Sequence, residues 1–501
     1  MPWQLADDSA IWSQNWSWRA SPERGEITTK PGICTLCEGG CGIQARLVDK
    51  KRVISLDGNP DHPISRGGTC ALCASGHQFL YATYRVTQPM KQTKQRGDAS
   101  GFKPVSWDEA LGEISKRLTN LKAEGKTQSV ACVTGRRRSS MDELWLQFLS
   151  AYGSPNIFKM PSQSDSLRLA ALMTVGQNVP FAFNVENASY ILSFSANLIE
   201  GWGSMGRMQN AYRLWHQEVA TPASAKIVQV EPRCSLSASK ADAWIAIAPG
   251  TEPALALAIA HVMIKENLYD ADFVANNVFG FEDWTDAQGK ARKGFKSLVL
   301  ESYSPEAVSK ITGVDVAKIR DLAKDFSGQK SAVAVWGESN GDSPNMLYHD
   351  LAFVALNALK GNLSPAGMMS LVPSVPLAAL PAIPTANIQT RLDLQATPIP
   401  LPGNGVNAFF RTMAKGGAYP IEVLMVHEAN PAYSLAESKT VNEALAKVGM
   451  LVSFSSYMDE TALQSDLILP NPTAFERYED VIGLPNGHFG YYALGAPLLP
   501  A

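Results

Sequence analysis

Three thiols fall within eight residues, Cys34-x2-Cys37-x3-Cys41, and a fourth, Cys70, follows after a longer loop. Four soft thiolates in this pattern suit a cubane of four irons and four sulfurs, in which each corner iron takes one cysteine. Gly39, Gly40 and Gly42 lie among them, where a backbone folding tightly around a bulky inorganic core has no room for a Cβ. A structural zinc site also begins with C-x2-C, and Cys70-Ala71-Leu72-Cys73 would supply its second pair. In that reading Cys41 has no role, so the spacing favours the cluster. It leaves open whether Cys70 or Cys73 is the fourth ligand.

A second set of candidates lies where runs of buried-strand character end. These loops are Ser195-Ala196-Asn197, Glu231-Pro232-Arg233, Pro249-Gly250-Thr251-Glu252, Gly337-Glu338-Ser339-Asn340-Gly341 and His427-Glu428-Ala429-Asn430-Pro431. In open parallel sheets ligands sit beyond the carboxyl ends of the strands. Loops rich in Gly, Asn and acidic residues offer amide donors and carboxylates to the phosphates and base of a nucleotide. Any one of them is ordinary turn chemistry; five at five strand ends put the two readings level. Arg136-Arg137-Arg138 could hold an anion, although a solvated charge run is the commoner meaning. His427 reads as a satisfied turn residue rather than a catalyst.

The elements that must position these residues follow from periodicity. Residues 43–48 and 52–56 read as a hairpin around Asp49-Lys50-Lys51, and Gly58-Asn59-Pro60-Asp61-His62-Pro63 returns the chain toward Cys70. Trp107 opens an amphipathic helix running to about residue 121. Apolar runs at 129–134, 190–194, 226–230, 243–247, 332–336, 423–426 and 451–454 alternate with helical stretches at 141–151, 205–218, 346–358, 441–448 and 459–464. Short buried strands alternating with helices mean parallel sheets covered on both faces. The expected organisation is an aromatic-rich arm at 1–27 (Trp3, Trp12, Trp16, Trp18), a cysteine-bearing unit at 28–90, and α/β halves at 91–330 and 331–501. A Pro-rich insertion at 373–405 interrupts the second half.

Composition bounds the rest. At 501 residues the chain is too long for one core. Its 45% hydrophobic and 18% charged content is that of a globular protein, and a net charge of −3 gives no reason to expect nucleic acid. No apolar run is long enough to span a bilayer, and the start lacks the basic-then-apolar pattern of a signal peptide. Five of the seven cysteines lie between Cys34 and Cys73. Cys132 and Cys234 are expected to be buried thiols.

The cysteine quartet, Gly58-Asn59-Pro60-x-His62-Pro63, Glu231-Pro232-Arg233, Pro249-Gly250-Thr251, Asn430-Pro431 and Asp459-Glu460-Thr461-x5-Leu467-Ile468-Leu469-Pro470 together resemble the catalytic subunits of molybdopterin oxidoreductases, the dimethyl sulfoxide reductase superfamily. The resemblance runs from about residue 30 to 480. It implies one [4Fe–4S] cluster held by Cys34, Cys37, Cys41 and Cys70, beside a bis-guanylyl molybdopterin between two α/β halves. Asn197, Glu231, Arg233, Gly250, Glu252 and Asn430 are the residues it assigns to the nucleotide ends of that cofactor. Export in folded form is common in the family and implies a periplasmic location.

Departures qualify the resemblance. Where the family places Lys or Arg two residues after the fourth cysteine, this chain has Leu72. The metal-ligand loop aligns with 161–166 and offers Ser164 and Asp165 but no cysteine. Glu231 and Glu252 stand where a guanine-binding Asp is usual, and the chain stops about where the family's closing β-barrel begins. The expected reading is a subunit in which molybdopterin guanine dinucleotide is doubtful and molybdenum absent, serving as scaffold or [4Fe–4S] relay. By the resemblance, it passes electrons from a cytochrome c to menaquinone in a membrane-associated complex. The partners implied are a multihaem cytochrome c, a ferredoxin-like iron–sulfur subunit and an integral-membrane quinone-binding subunit. The alternative is an active molybdenum reductase of polysulfide, thiosulfate or a similar oxoanion, with Ser164 or Asp165 on the metal. A formate dehydrogenase is a weaker third reading, for want of a sulfur or selenium ligand and a nearby basic residue.

Overall fold

A computed structural model describes residues 25–135, 138–162, 164–216, 225–337, 346–378, 386–396 and 405–500. The tryptophan-rich stretch, Arg136 and Arg137, Glu338 to Gly341, and residues 379–385 and 397–404 of the Pro-rich passage lie outside the described residues.

The cysteine-bearing unit is a three-stranded antiparallel sheet, Ile27–Cys34, Cys41–Val48 and Arg52–Gly58, with the short helix Ala71–Ser75 after it. Its hairpin turns as expected. Asp49 and Lys50 both take positive φ, 49° and 57°, the paired left-handed residues of a tight β-hairpin turn. The first pair of strands brings Cys34 and Cys41 into register as direct neighbours. A core of Ile43, Ala45, Leu47, Val53 and Leu56 fixes the sheet beneath them.

Two larger sheets carry the rest. One has four parallel strands in the order Ala243–Ala246, Lys226–Glu231, Tyr190–Phe194, Ala332–Trp336. The other has seven: Phe102–Pro104, Met90–Gln92, Leu467–Pro470, Met450–Ser455, Val423–His427, Val130–Thr134, Asn156–Lys159. Its last five strands run parallel, and the first two pair antiparallel at one edge. Tyr190–Phe194, Ala332–Trp336, Val130–Thr134 and Val423–His427 are buried at every position, which is what cover on both faces produces. The helix Glu252–Lys265 is apolar almost all round and sits in the core of the four-stranded half.

The sheets do not divide where the sequence pattern suggested. Strand Ala332–Trp336 completes the first-half sheet by pairing with Tyr190–Phe194. Strands Val130–Thr134 and Asn156–Lys159, early in the chain, belong with Val423–His427 and its neighbours. The boundary near residue 330 is therefore not a boundary between sheets. Alternation of strands and helices specifies element type, but pairing between distant strands leaves no local periodicity to read.

One smaller expectation is corrected. Cys132 is buried in its strand, but Cys234 is exposed in the loop after Lys226–Glu231, because the apolar residues preceding it end with that strand. The described part of the Pro-rich passage forms a 3-10 turn at Ile388–Thr390 and a helix at Asp393–Ala396. No helix of the described residues is long and apolar enough to cross a membrane.

Candidate functional site: a thiol nest between two cavities

The loop from Cys37 to Cys41 is held from three sides. Gly40 takes φ +55°, and its carbonyl accepts a 2.8 Å hydrogen bond from the Tyr491 hydroxyl. That hydroxyl also meets His62 Nε2 at 2.9 Å, while the amide of Ser65 donates to His62 Nδ1. The His62 ring packs so closely on Gly42 that a Cβ there would lie 2.3 Å from it, which is why a glycine follows Cys41. The Gly-Asn-Pro-x-His-Pro segment thus acts as a brace. Asn59 accepts from the Asp61 amide through its side chain, and its carbonyl accepts from the amides of His62 and Gly67.

Five thiols converge here. Cys34, Cys41 and Cys73 are buried, Cys70 is partly buried and Cys37 is exposed. Backbone amides point at three of the sulfurs: Gly39 N–H at Cys37, Gly206 N–H at Cys41 and Cys73 N–H at Cys70, at 3.3–3.5 Å. Amide donors to cysteine sulfur are what stabilise thiolates bound to iron. The Thr35 hydroxyl, next to Cys34, is buried without a hydrogen-bond partner. Without a metal, hydrogen bonds to neighbouring thiols, with burial second, push the Cys41 and Cys73 thiols above the ordinary range, and partial desolvation does the same for Cys37. Soft donors, aimed amides and an unfilled hydroxyl fit an iron–sulfur cluster. Among the described residues no three His, Cys, Asp or Glu side chains close on a single-ion site.

Two cavities open on either side of the Cys37–Glu38 peptide, of about 830 Å³ and about 380 Å³. Both are in the size range of small-molecule and cofactor sites. Cys70, Leu72, Ser162 and Ser164 stand on the wall of the larger; Arg138, Glu428, Tyr457 and Arg477 stand on the wall of the smaller. Glu38 stands at the junction. Arg138 Nε donates to its carboxylate at 3.0 Å and the Ser162 hydroxyl at 3.1 Å. Ser162 in turn lies 3.1 Å from the Ser164 hydroxyl.

Of the two expected metal ligands, Ser164 reaches the cavity. The Asp165 carboxylate instead accepts from the Ser162 amide, closing the loop on itself. Leu72 is 43% exposed and presents an apolar surface where a basic side chain would stand. This loop therefore brings hydroxyls, the Asp165 carboxylate turned onto its own backbone, and no thiolate. That donor set does not fit a sulfur-ligated molybdenum centre.

The six residues assigned to nucleotide binding lie at strand ends, as expected, yet none lines either cavity. Glu231 is buried and accepts from Gln229 Nε2 and the Ser235 amide. Glu252 accepts from the Ser195 hydroxyl at 2.7 Å. Asn430 bridges to Glu460 and Thr461, tying its loop to the Asp459-Glu460-Thr461 turn. Asn197 and Arg233 are exposed, and Gly250 takes φ +77° in the turn before Glu252. His427 is the last residue of a buried strand, packed on Trp145 and Phe454, rather than the turn residue the sequence suggested. Glu38, Ser162 and Arg477 were missed by sequence reasoning. Arg138 was read only as part of a charge run.

Fold and thiol nest together define the class. Residues 85–482 match the molybdopterin oxidoreductase family and residues 27–82 its Fe4S4 domain, so the chain belongs to that family. Among named relatives, it is 32% identical to the menaquinone reductase, molybdopterin-binding-like subunit, of Nitratidesulfovibrio vulgaris, over 96% of this chain and 63% of that protein. It is 28% identical to the thiosulfate reductase molybdopterin-containing subunit PhsA of Salmonella typhimurium, over 93% and 61%. Acetylene hydratase from Pelobacter acetylenicus shares the fold with a TM-score of 0.74 at 21% identity, covering 94% of this chain and 66% of that one. The chain spans about three-fifths of the length of the relatives it matches.

Proposed function

We propose that this chain is a subunit of a respiratory complex that passes electrons from a cytochrome c to menaquinone, peripheral to a membrane on its periplasmic side. Its partners in this reading are a multihaem cytochrome, a ferredoxin-like subunit and a membrane quinone-binding subunit. The thiol nest carries a [4Fe–4S] cluster, which when bound supplies one-electron transfer. The chain's own part is to hold the cluster at Cys34, Cys37, Cys41 and a fourth cysteine, to screen it with Leu72, and to balance Glu38 with Arg138. The observation that carries the reading is the junction itself. Leu72 and Glu38 line the larger cavity beside Cys37 and Cys70, Arg138 pairs with Glu38, and the adjoining loop provides no sulfur ligand. Similarity to the menaquinone reductase subunit supports the same assignment.

Metal analysis of the purified protein tests it. About four irons per chain with no molybdenum or tungsten is the expected result. Molybdenum or tungsten near one per chain would overturn the relay reading. It would favour the second one, a reductase of polysulfide or thiosulfate, which Ser164 on the wall of the larger cavity and similarity to thiosulfate reductase support.

A further inference from the structure

We infer that Cys70 and Cys73 are interchangeable fourth ligands of the cluster, so that the nest holds one thiol in reserve. The inference rests on the cluster reading above and goes beyond it to this chain's fifth thiol. Cys70 caps the helix Ala71–Ser75 and Cys73 lies one turn further on, so both side chains leave the same helical face. The Cys73 thiol is only 1% exposed and shares hydrogen bonds with the thiols of both Cys34 and Cys41. Cys70 stands nearer the mouth, on the wall of the larger cavity together with Cys37. Either thiol closes a quartet with Cys34, Cys37 and Cys41. The Cys73 amide donates to Cys70 sulfur, which ties the two positions together as one unit.

The exchange is balanced without a redox partner. An iron–sulfur bond to Cys70 breaks as one to Cys73 forms. The incoming thiol gives up its proton, and the leaving thiolate takes one up. Ligation by Cys73 would leave a free Cys70 thiol on the wall of the larger cavity. Ligation by Cys70 leaves Cys73 buried among its neighbours.

Iron content and the spin-resonance spectrum of the reduced protein, measured on wild type, Cys70→Ala, Cys73→Ala and the double variant, test this. Wild type and each single variant are expected to hold about four irons per chain, with the two single variants giving different g-values. The double variant is expected to lose the four-iron signal. If either single variant falls to the level of the double, that cysteine is the sole ligand and the proposal is overturned. A double variant that keeps four irons overturns it as well. Wild type without iron overturns the cluster reading itself, which separates the two failures. Thermal melting monitors folding throughout. Should an alanine variant not fold, the near-isosteric Cys70→Ser or Cys73→Ser replaces it, with the same criteria. Cys234→Ala, at an exposed thiol that lines neither cavity, should match wild type.

Discussion

The Tyr491 hydroxyl donates a 2.8 Å hydrogen bond to the carbonyl of Gly40, joining the end of the described chain to the loop that carries Cys37 and Cys41. Tyr491 is 6% exposed, so losing that hydroxyl leaves a buried carbonyl unpaired. Tyr491→Phe is expected to cost about 1–3 kcal/mol, read as a lowered melting temperature. Gly40→Ala should cost at least as much, because φ is +55° and a Cβ would lie 2.9 Å from Val481. An unchanged melting temperature in both would show that the brace does not hold the loop.

A second brace is charged and buried. Arg207, 1% exposed, pairs with both oxygens of Glu186 at 2.6 and 2.8 Å and donates to the carbonyls of Phe183 and Asn486. Arg207→Ala strands a partly buried carboxylate and two carbonyls, and should destabilise the fold by about 3–5 kcal/mol in denaturant titration. Adding Glu186→Gln should recover part of that loss. Full additivity in the double-mutant cycle would count against the pairing.

Asp350 is expected to make stability depend on pH. Burial raises its carboxyl from 3.8 to about 6. One oxygen accepts from Trp336 Nε1 at 2.7 Å and the other has no partner; the Ser166 hydroxyl lies alongside without closing a bond. With the folded pKa above the unfolded one, the folded state holds a proton that the unfolded state lacks between about pH 4 and 6. Stability from this group is complete below that window and falls as pH rises through it. Asp350→Asn keeps the Trp336 bond and carries no charge. It should be more stable than wild type by about 1–3 kcal/mol at pH 7, with the difference gone near pH 4. A constant difference across that range would assign the effect to packing instead.

Glu38 sits one residue from a nest cysteine, and its negative charge opposes adding an electron there. With a cluster in place, Glu38→Gln should raise the midpoint potential by on the order of tens of millivolts, read by redox titration. Arg138→Gln should lower it. Shifts of the same sign in both would contradict an electrostatic origin.

Much of this architecture was legible in the chain. β-Branched and apolar runs such as Ala332–Trp336 and Val423–His427 marked buried parallel strands, and the glycines among the cysteines marked a tight loop. The interleaving of the sheets was not legible, because strand Val130–Thr134 finds its partner Val423–His427 across nearly 300 positions. Arg138 was misread for the same reason. A charge run looks solvated until the fold brings Glu38 against it. At Glu231 and Asn430 the residue types suggested ligand binding, and the hydrogen bonds both make inside the protein left no local signal in the sequence.

The nest is walled by residues from both ends of the described chain. Lys30 donates to the Pro497 carbonyl, while Phe475, Leu498 and Leu499 share a core with Cys34, Cys41 and Cys73. During synthesis, then, the cysteines leave the ribosome long before the walls that shield them. A chain arrested before residue 475 would lack Phe475, Leu498 and Leu499 around its cysteines and would present its thiols open to water and oxidants. Closure of the nest therefore waits on residues 475–499 returning to the sheet that carries Cys34 and Cys41.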